Sequence, residues 1–161
     1  MIIGYLRSLT ITFICYSIGG LIGMFTFLLC AFIAKSLLEV INFTEHYGLV
    51  REENKPVHPR HSWNSNSVMS SILLYNVTRH SAHHEKSHLK FWELDTYEDA
   101  PMMPHGYLSM LYIAIFLPLL FHKMMAMRLI EWDEKYATAE EKEIAKNANK
   151  NSGIKMLINQ C

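Results

Sequence analysis

Residues 11–34 form an apolar stretch that contains no charged side chain. At about 1.5 Å per residue, a helix of these 24 residues is about 36 Å long, which exceeds the roughly 30 Å hydrocarbon core of a bilayer. A secretory signal peptide has a shorter apolar core and a cleavage site of small residues, whereas this stretch continues directly into KSLLEVINFTEHYG. The stretch therefore predicts a membrane protein.

Gly19 and Gly20 interrupt the apolar stretch and leave its path open. They can lie within one long tilted helix, or they can mark a turn between a short segment at 5–18 and a longer one at 21–43. In both cases residues 1–43 form the membrane part of the chain.

The next region, residues 44–106, is polar and rich in histidine. Proline and turn-forming residues predict loops at 51–66 and 95–106. Between the loops, residues 67–84 contain neither glycine nor proline and predict a single helix.

The last two regions differ in charge. Residues 107–130 begin with an apolar run that is short for a full membrane span, so we expect an interfacial, re-entrant or buried segment. Residues 131–161 are charged and helix-prone, and they predict a solvated tail helix with Thr138 as its N-cap. The fold class that follows from all four regions is all-α.

Histidines are concentrated at the end of the helix predicted at 67–84. On a helix, His80, His83 and His84 stand at positions i, i+3 and i+4 and share one face, and Asn76 precedes them by one turn. Imidazole is a common ligand of transition metals. The spacing favours a metal site, with iron and zinc as competing metals, over a hydrated helix end with chance histidines.

A further histidine, His46, closes the long apolar helix in the segment EVINFTEHYG, and Gly48 then lets the chain turn. The basic residues Arg51, Lys55 and Arg60 follow. Because basic side chains are retained on the cytoplasmic side of a membrane, they favour a cytoplasmic location for the histidine-rich region.

Four motifs between about Leu37 and Gly106 resemble the integral-membrane alkane hydroxylases and the related hydroxylase subunits of xylene monooxygenase. They are NFTEHYGLVR, RHSWNSN, RHSAHH and DAPMMPHGY, in this order and at matching intervals. The resemblance implies a helix bundle similar to the membrane fatty acid desaturases, with a histidine-ligated non-haem diiron centre at the cytoplasmic side of the bacterial inner membrane. It implies multiple membrane passes and four iron ligands: His46, His80, His83 and His84.

Two departures accompany this resemblance. Members of the family carry two further histidine boxes upstream, of the types H-E-x-x-H and H-x-x-x-H-H, and this chain has neither. Ala82 stands where an acidic residue is usual, which removes one acceptor for the outer ring nitrogen of a ligand. The remaining candidates for such contacts are Glu45, His61 and Asn76. We expect the C-terminal part of a hydroxylase, from a truncated, split or incompletely predicted gene.

The expected activity is hydroxylation of alkanes or of the methyl group of alkylarenes with O₂. The resemblance implies an apolar hydrocarbon substrate, surrounding membrane lipid, and electrons from a rubredoxin-like protein or a ferredoxin reductase. Two alternatives stay open: a desaturase-like enzyme that modifies lipids, and an inactive membrane fragment without the upstream boxes. The 15 basic and 15 acidic side chains balance, so we expect no nucleic-acid partner.

Overall fold

The structure is a computed structural model that describes residues 2–86, 88–97 and 99–159. In these ranges the regular structure is helical, and an isolated bridge between Asn64 and Met102 is the extent of strand-like pairing. The all-α prediction is therefore confirmed. The helices of the described chain are α1 (Ile2–His46), α2 (Val68–Leu73), α3 (His80–Glu85), α4 (Tyr107–Phe116), α5 (Pro118–Lys135), α6 (Ala139–Lys150) and α7 (Lys155–Ile158), with short 3₁₀ turns at Pro59–His61 and Phe91–Glu93.

The chain forms two compact units, which divide between Val40 and Ile41. The first unit consists of α1 up to this point. By length and composition α1 can cross a membrane, and none of the residues in its most apolar window is buried within the protein. Exposed apolar side chains are what a helix surrounded by lipid requires.

Gly20 interrupts the helical path of α1. Its φ of 59° and ψ of −150° are not helical, and this conformation is open to glycine because glycine has no β-carbon. In a continuous helix, residues eight positions apart are separated by about 12 Å. Here a β-carbon on Gly23 would collide with the carbonyl oxygen of Cys15. The chain therefore bends sharply, which favours the two-segment alternative over one uninterrupted helix.

The second unit, from Ile41 onward, is built around a hydrophobic cluster to which α5 contributes one face. Phe121, Met125, Leu129 and Trp132 recur every three or four residues and are at most 5% exposed. Burial of each such side chain stabilises the fold by about 1.5–3 kcal/mol. Pro118 starts α5 in its first turn, where the missing N–H breaks no helical hydrogen bond. The other buried members are Trp63, Met103, Tyr107, Met110, Ala126 and Leu157.

The prediction of a single helix at 67–84 is wrong, because the structure has two short helices there, α2 and α3. Tyr75 and Asn76 separate them with φ values of 50° and 58°, a left-handed conformation that ends a right-handed helix. The turn is held from inside the protein, where the hydroxyl groups of Ser71 and Thr78 lie 2.9 Å apart and both residues are buried. Asn76 therefore does not share a helix face with the histidines of α3.

The charged tail contains the N-cap that the sequence predicts. The N–H of Glu141 donates to the hydroxyl oxygen of Thr138 at 3.1 Å, and the N–H of Thr138 donates to the Glu141 carboxylate at 3.0 Å. This reciprocal capping box starts α6. The tail is not a separate solvated helix from Glu131, however, because α5 runs to Lys135 and both Trp132 and Glu141 are at most 1% exposed.

The turn after α1 yields a stability prediction. Gly48 has a φ of 70°, and a β-carbon there would lie 2.6 Å from Cδ1 of Leu129. We expect Gly48→Ala to lower the free energy of unfolding by about 1–3 kcal/mol, because it adds backbone strain and overpacks the core. Denaturant unfolding in detergent, followed by tryptophan fluorescence, measures the change.

A double-mutant cycle with Leu129→Ala isolates the contact with Leu129. Removing the Leu129 methyl groups relieves the overpacking but leaves the positive φ of residue 48. The losses of unfolding free energy in the two single variants should therefore sum to more than the loss in the double variant. Additive losses would contradict the contact.

Candidate metal centre

His46 is the last residue of α1, and a hydrogen bond fixes the state of its ring. Its Nδ1 lies 2.9 Å from the carbonyl oxygen of His61. A carbonyl oxygen accepts only, so Nδ1 carries the proton and donates it. The lone pair of His46 is therefore on Nε2, the nitrogen that is free to bind a metal.

Two histidines of α3 face this nitrogen. Nε2 of His84 lies 3.4 Å from Nε2 of His46, and the ring centroids of His80 and His84 each lie 5.1 Å from that of His46. One nitrogen from each of the three rings lies within 4.8 Å of the other two. The resemblance implies that His46 lies near the histidine box formed by His80, His83 and His84. This proximity is observed for His80 and His84.

The spacing of these nitrogens fits a transition-metal ion. Nitrogen ligands about 2.1 Å from a metal stand about 3.0–3.4 Å from one another in octahedral or tetrahedral coordination. The 3.4 Å between the His46 and His84 nitrogens already has this value. A nitrogen of His80 lies within 4.8 Å of the other two, so the three-histidine cluster of His46, His80 and His84 could hold a metal ion.

The electrostatics of the cluster favour neutral rings. Burial, together with the neighbouring imidazoles, lowers the pKa of His80 to about 3 and that of His84 to about 4. Both rings are therefore uncharged at pH 7. A metal need not displace a proton from an imidazolium before it binds them.

Glu45 is placed as an outer contact of His80. It is 3% exposed, and its Oε1 lies 3.3 Å from Nδ1 of His80. This oxygen has no hydrogen-bond partner among the described residues. Burial raises the pKa of Glu45 to about 7, and the Tyr107 hydroxyl opposes the rise. A carboxyl group at Nδ1 leaves Nε2 of His80 for a metal, so Glu45 stays our candidate for this role.

His83, the fourth predicted ligand, lies at the edge of the cluster. It is exposed, and its ring centroid is 5.7 Å from that of His80 and 6.2 Å from that of His84. It is not among the three residues whose nitrogens converge. Its ligation remains a prediction.

The other two residues predicted as outer contacts, His61 and Asn76, lie in different surroundings. His61 reaches the cluster through its main-chain oxygen, while its ring points elsewhere. Asn76 donates from its amide to the carbonyl oxygen of Phe91 at 2.9 Å, so its side chain is engaged away from the histidines. His88 is exposed, as its position beyond the histidine box predicts.

A buried polar network that the sequence did not reveal holds α3 in place. The amide of Asn64 donates to the carbonyl oxygen of Ser62 at 3.0 Å and to the hydroxyl oxygen of Ser81 at 2.6 Å, and its own oxygen accepts the N–H of Ser81 at 3.0 Å. Ser81 follows His80 directly. The only sequence signal for this network is the run of small polar residues in RHSWNSN and RHSAHH.

Trp63 ties the same segment to the end of α1. Its main-chain N–H donates to the carbonyl oxygen of Glu45, and its indole N–H donates to the carbonyl oxygen of Tyr47, both at 2.8 Å. These two bonds flank His46 in the sequence. They fix the distance between His46 and the segment that carries the His61 carbonyl.

A cavity of about 230 Å³ borders the cluster. His46, His61 and His84 contribute polar atoms to its wall. The rest of the wall is largely aliphatic, formed by Leu49, Val50 and Val57 with the side chain of Arg51. A cavity with both aliphatic and polar lining residues therefore lies beside two of the converging imidazoles, His46 and His84.

The helical fold, the apolar α1 and the histidine cluster define a membrane protein with a candidate metal centre. A profile of the fatty acid desaturase family matches residues 1–114. The chain belongs to this family, as the motifs predict.

Individual relatives show which members of this family the chain resembles. The chain is 35% identical to the xylene/toluene monooxygenase hydroxylase component XylM of Pseudomonas putida, over 84% of this chain and 36% of that protein. It is 42% identical to alkane 1-monooxygenase 1 of Pseudomonas aeruginosa, over 62% of this chain and 28% of that protein. It is also 42% identical to the alkane 1-monooxygenase of Acinetobacter baylyi, over 63% of this chain and 26% of that protein. The aligned part thus spans between a quarter and somewhat over a third of these relatives.

The cluster yields a prediction on metal binding. In detergent, the purified chain should bind Co²⁺ weakly and give the visible absorption of a nitrogen-ligated ion. His84→Ala should lower the affinity by at least about 10-fold, because it removes one of the converging nitrogens. His88→Ala is the matched control and should leave the affinity unchanged. Equal affinities for the parent chain and His84→Ala would contradict the assignment of the cluster.

Proposed function

We propose that this chain forms the C-terminal, histidine-bearing part of a membrane non-haem diiron monooxygenase that hydroxylates alkanes or the methyl group of alkylarenes. The observation that carries the proposal is the convergence of His46, His80 and His84 in a member of this family. The named relatives, an arene monooxygenase component and two alkane monooxygenases, support the reaction class.

The surroundings of the histidines favour iron over zinc. When bound, iron supplies the O₂ chemistry that attack on an unactivated C–H bond requires. Neutral imidazoles suit iron, copper and zinc alike, so the surroundings decide. Zinc hydrolysis needs a carboxylate base beside the metal-bound water. Glu45 instead lies at Nδ1 of His80, on the outer side of the ring.

The side chains around the cluster support an apolar substrate. Leu49, Val50 and Val57 line the cavity beside His46 and His84. These three aliphatic side chains can contact a hydrocarbon chain, while the histidines and Arg51 line the rest of the cavity. A substrate that partitions into lipid would enter from the membrane in which α1 is embedded.

The cellular setting follows from the same proposal. We place the protein in the bacterial inner membrane as a multi-pass protein with its histidine-rich region on the cytoplasmic side. The electron donor would be a rubredoxin-like protein or a ferredoxin reductase, because the substrate itself supplies no electrons for the second oxygen atom. The sharp bend at Gly20 and the basic residues after α1 support this arrangement.

Desaturation of a lipid acyl chain is the second candidate, favoured by the family to which the chain belongs. It uses the same type of site and an equally apolar substrate. The named relatives favour hydroxylation, and the reaction products distinguish the two activities.

The orientation gives a topology prediction. In a background without the native cysteines, a cysteine at exposed position Glu53 should react with a membrane-impermeant maleimide in inverted vesicles and stay unlabelled in intact spheroplasts. The reason is that the basic residues retain the 51–66 loop in the cytoplasm. Labelling of Glu53→Cys in intact spheroplasts would contradict the orientation.

Activity is tested by grafting. The chain replaces the homologous segment of the Acinetobacter baylyi alkane 1-monooxygenase, and the hybrid is assayed with octane and a xylene in the presence of a reducing partner. We expect hydroxylation by the hybrid and none by the 161-residue chain alone, because four imidazoles give each ion of a pair about two protein ligands.

Two variants of the hybrid test the histidine box. His83→Ala should abolish turnover, because it removes a ligand from the middle of the box, and His88→Ala should leave most of the activity. Turnover by the chain alone would contradict its role as part of a larger enzyme. An inactive hybrid, with the unmodified relative active in the same assay, would contradict the hydroxylase proposal. Unsaturated acyl products in place of alcohols would support the desaturase alternative.

A further inference from the structure

Glu141 in α6 is a buried charged residue that the proposed function does not use. It is 1% exposed. Arg60 approaches its two carboxylate oxygens with Nε at 3.1 Å and Nη2 at 3.2 Å, and the ring nitrogen Nε2 of His61 lies 2.7 Å from Oε1. The main-chain N–H of Thr138 adds a further hydrogen bond at 3.0 Å. The carboxylate is therefore surrounded by donors.

Glu141 is ionised at neutral pH. Burial by itself raises the pKa of its carboxyl group, but the hydrogen bonds from Arg60, Thr138 and His61 outweigh burial and lower the pKa to about 2. The capping box of α6 does not explain this arrangement, because a capping glutamate needs only the contacts with Thr138 and works equally well in solvent. Burying a charged pair is costly, which points to a role beyond the helix cap.

The residues that Glu141 holds belong to the Pro59–His61 turn. The N–H of His58 donates to Nδ1 of His61 at 3.0 Å, so the ring proton of His61 is on Nε2 and is donated to Glu141. The indole N–H of Trp132 donates to the carbonyl oxygen of Arg60 at 2.7 Å. Glu141 and Trp132 together fix the position and the orientation of this turn.

The turn carries the acceptor that sets the tautomer of His46. The carbonyl oxygen of His61 accepts the Nδ1 proton of His46 at 2.9 Å. The same residue, His61, thus binds Glu141 through its ring and His46 through its main chain. A shift or rotation of the turn would move the carbonyl oxygen away from His46.

We propose that Glu141 is a positioning residue for the metal centre, which it serves through His61 by holding His46 with its Nε2 lone pair directed at the ring of His84. The metal-binding part of this inference rests on the proposed function. The tautomer part does not, because it concerns the protein without metal.

The test measures the ring state of His46 directly. Histidine side chains are labelled with ¹⁵N, and the His46 signals are assigned by their loss in His46→Gln. In the metal-free parent chain, His46 should give the pattern of a single tautomer with the proton on Nδ1. Glu141→Ala should convert this pattern to a mixture of tautomers, and it should lower Co²⁺ affinity by about 10-fold.

Two controls separate positioning from general loss of stability. Met125→Ala empties a buried position of α5 and should lower the thermal midpoint by a similar amount while the His46 pattern stays that of the parent chain. Glu131→Gln removes a partly exposed, ion-paired carboxylate and should change neither the thermal midpoint nor the His46 pattern. If Glu141→Ala fails to fold, Glu141→Gln preserves the size of the side chain and should still give mixed tautomers.

The outcomes are distinct. An unchanged His46 pattern in folded Glu141→Ala, or in Glu141→Gln where Glu141→Ala does not fold, would overturn the positioning role. The same change of pattern in Met125→Ala would also overturn it, because the effect would then follow from lost stability. A changed pattern in a chain whose parent form binds no Co²⁺ would contradict the metal site of the proposed function and leave the positioning role intact.

Discussion

The arrangement of the candidate centre depends on one constraint: the polar groups of the segment 59–64, which is buried from His61 onward, must find hydrogen-bond partners inside the protein. An unpaired polar group in the interior costs about 1–3 kcal/mol, so such a segment can be stable only where partners surround it. Trp63 bonds to Glu45 and Tyr47 at the end of α1. Asn64 bonds to Pro101 and Met103 through its main chain and to Ser81 of α3 through its side chain. These two elements carry His46 and the histidine box. Forming the hydrogen bonds of segment 59–64 therefore brings the histidines together, without any attraction between the rings themselves.

This origin explains why the cluster can persist in the protein without metal. Three imidazoles at close distance gain little from one another, and burial disfavours the charged forms of His80 and His84. They are held by contacts that do not involve the metal-binding nitrogens: His46 by the carbonyl oxygen of His61, and α3 by Asn64 through Ser81. A site whose ligands are held in this way needs little reorganisation to bind an ion, because the fold has already met the cost of ordering the side chains.

The sequence predicts the clustered histidines better than the residues that support them. His80 and His84 follow from helical spacing and His46 from its motif, because a metal site demands a residue type and the type is visible in the sequence. The break before α3 was not predictable in this way. It combines left-handed conformations of Tyr75 and Asn76 with a contact between the buried hydroxyl groups of Ser71 and Thr78 across the turn, and the sequence shows neither the burial nor the contact. Supports such as Asn64 and Glu141 are ordinary polar residues. Glu141 differs from its neighbour Glu140 only by standing at the capping-box position, and burial, which gives it its role, arises from packing.

The angular positions of the box histidines around α3 indicate how one short helix could contribute ligands to two metal ions. Relative to His80, a residue at i+4 lies about 40° to one side of the helix and a residue at i+3 about 60° to the other. His84 and His83 are therefore about 100° apart around α3, with His80 between them. The described geometry agrees, because His84 faces His46 whereas His83 is exposed at the edge of the cluster. Under the proposed function, the exposed ring of His83 is the one available to the second ion. The box would then supply His80 and His84 to the ion shared with His46, and His83 to the other ion.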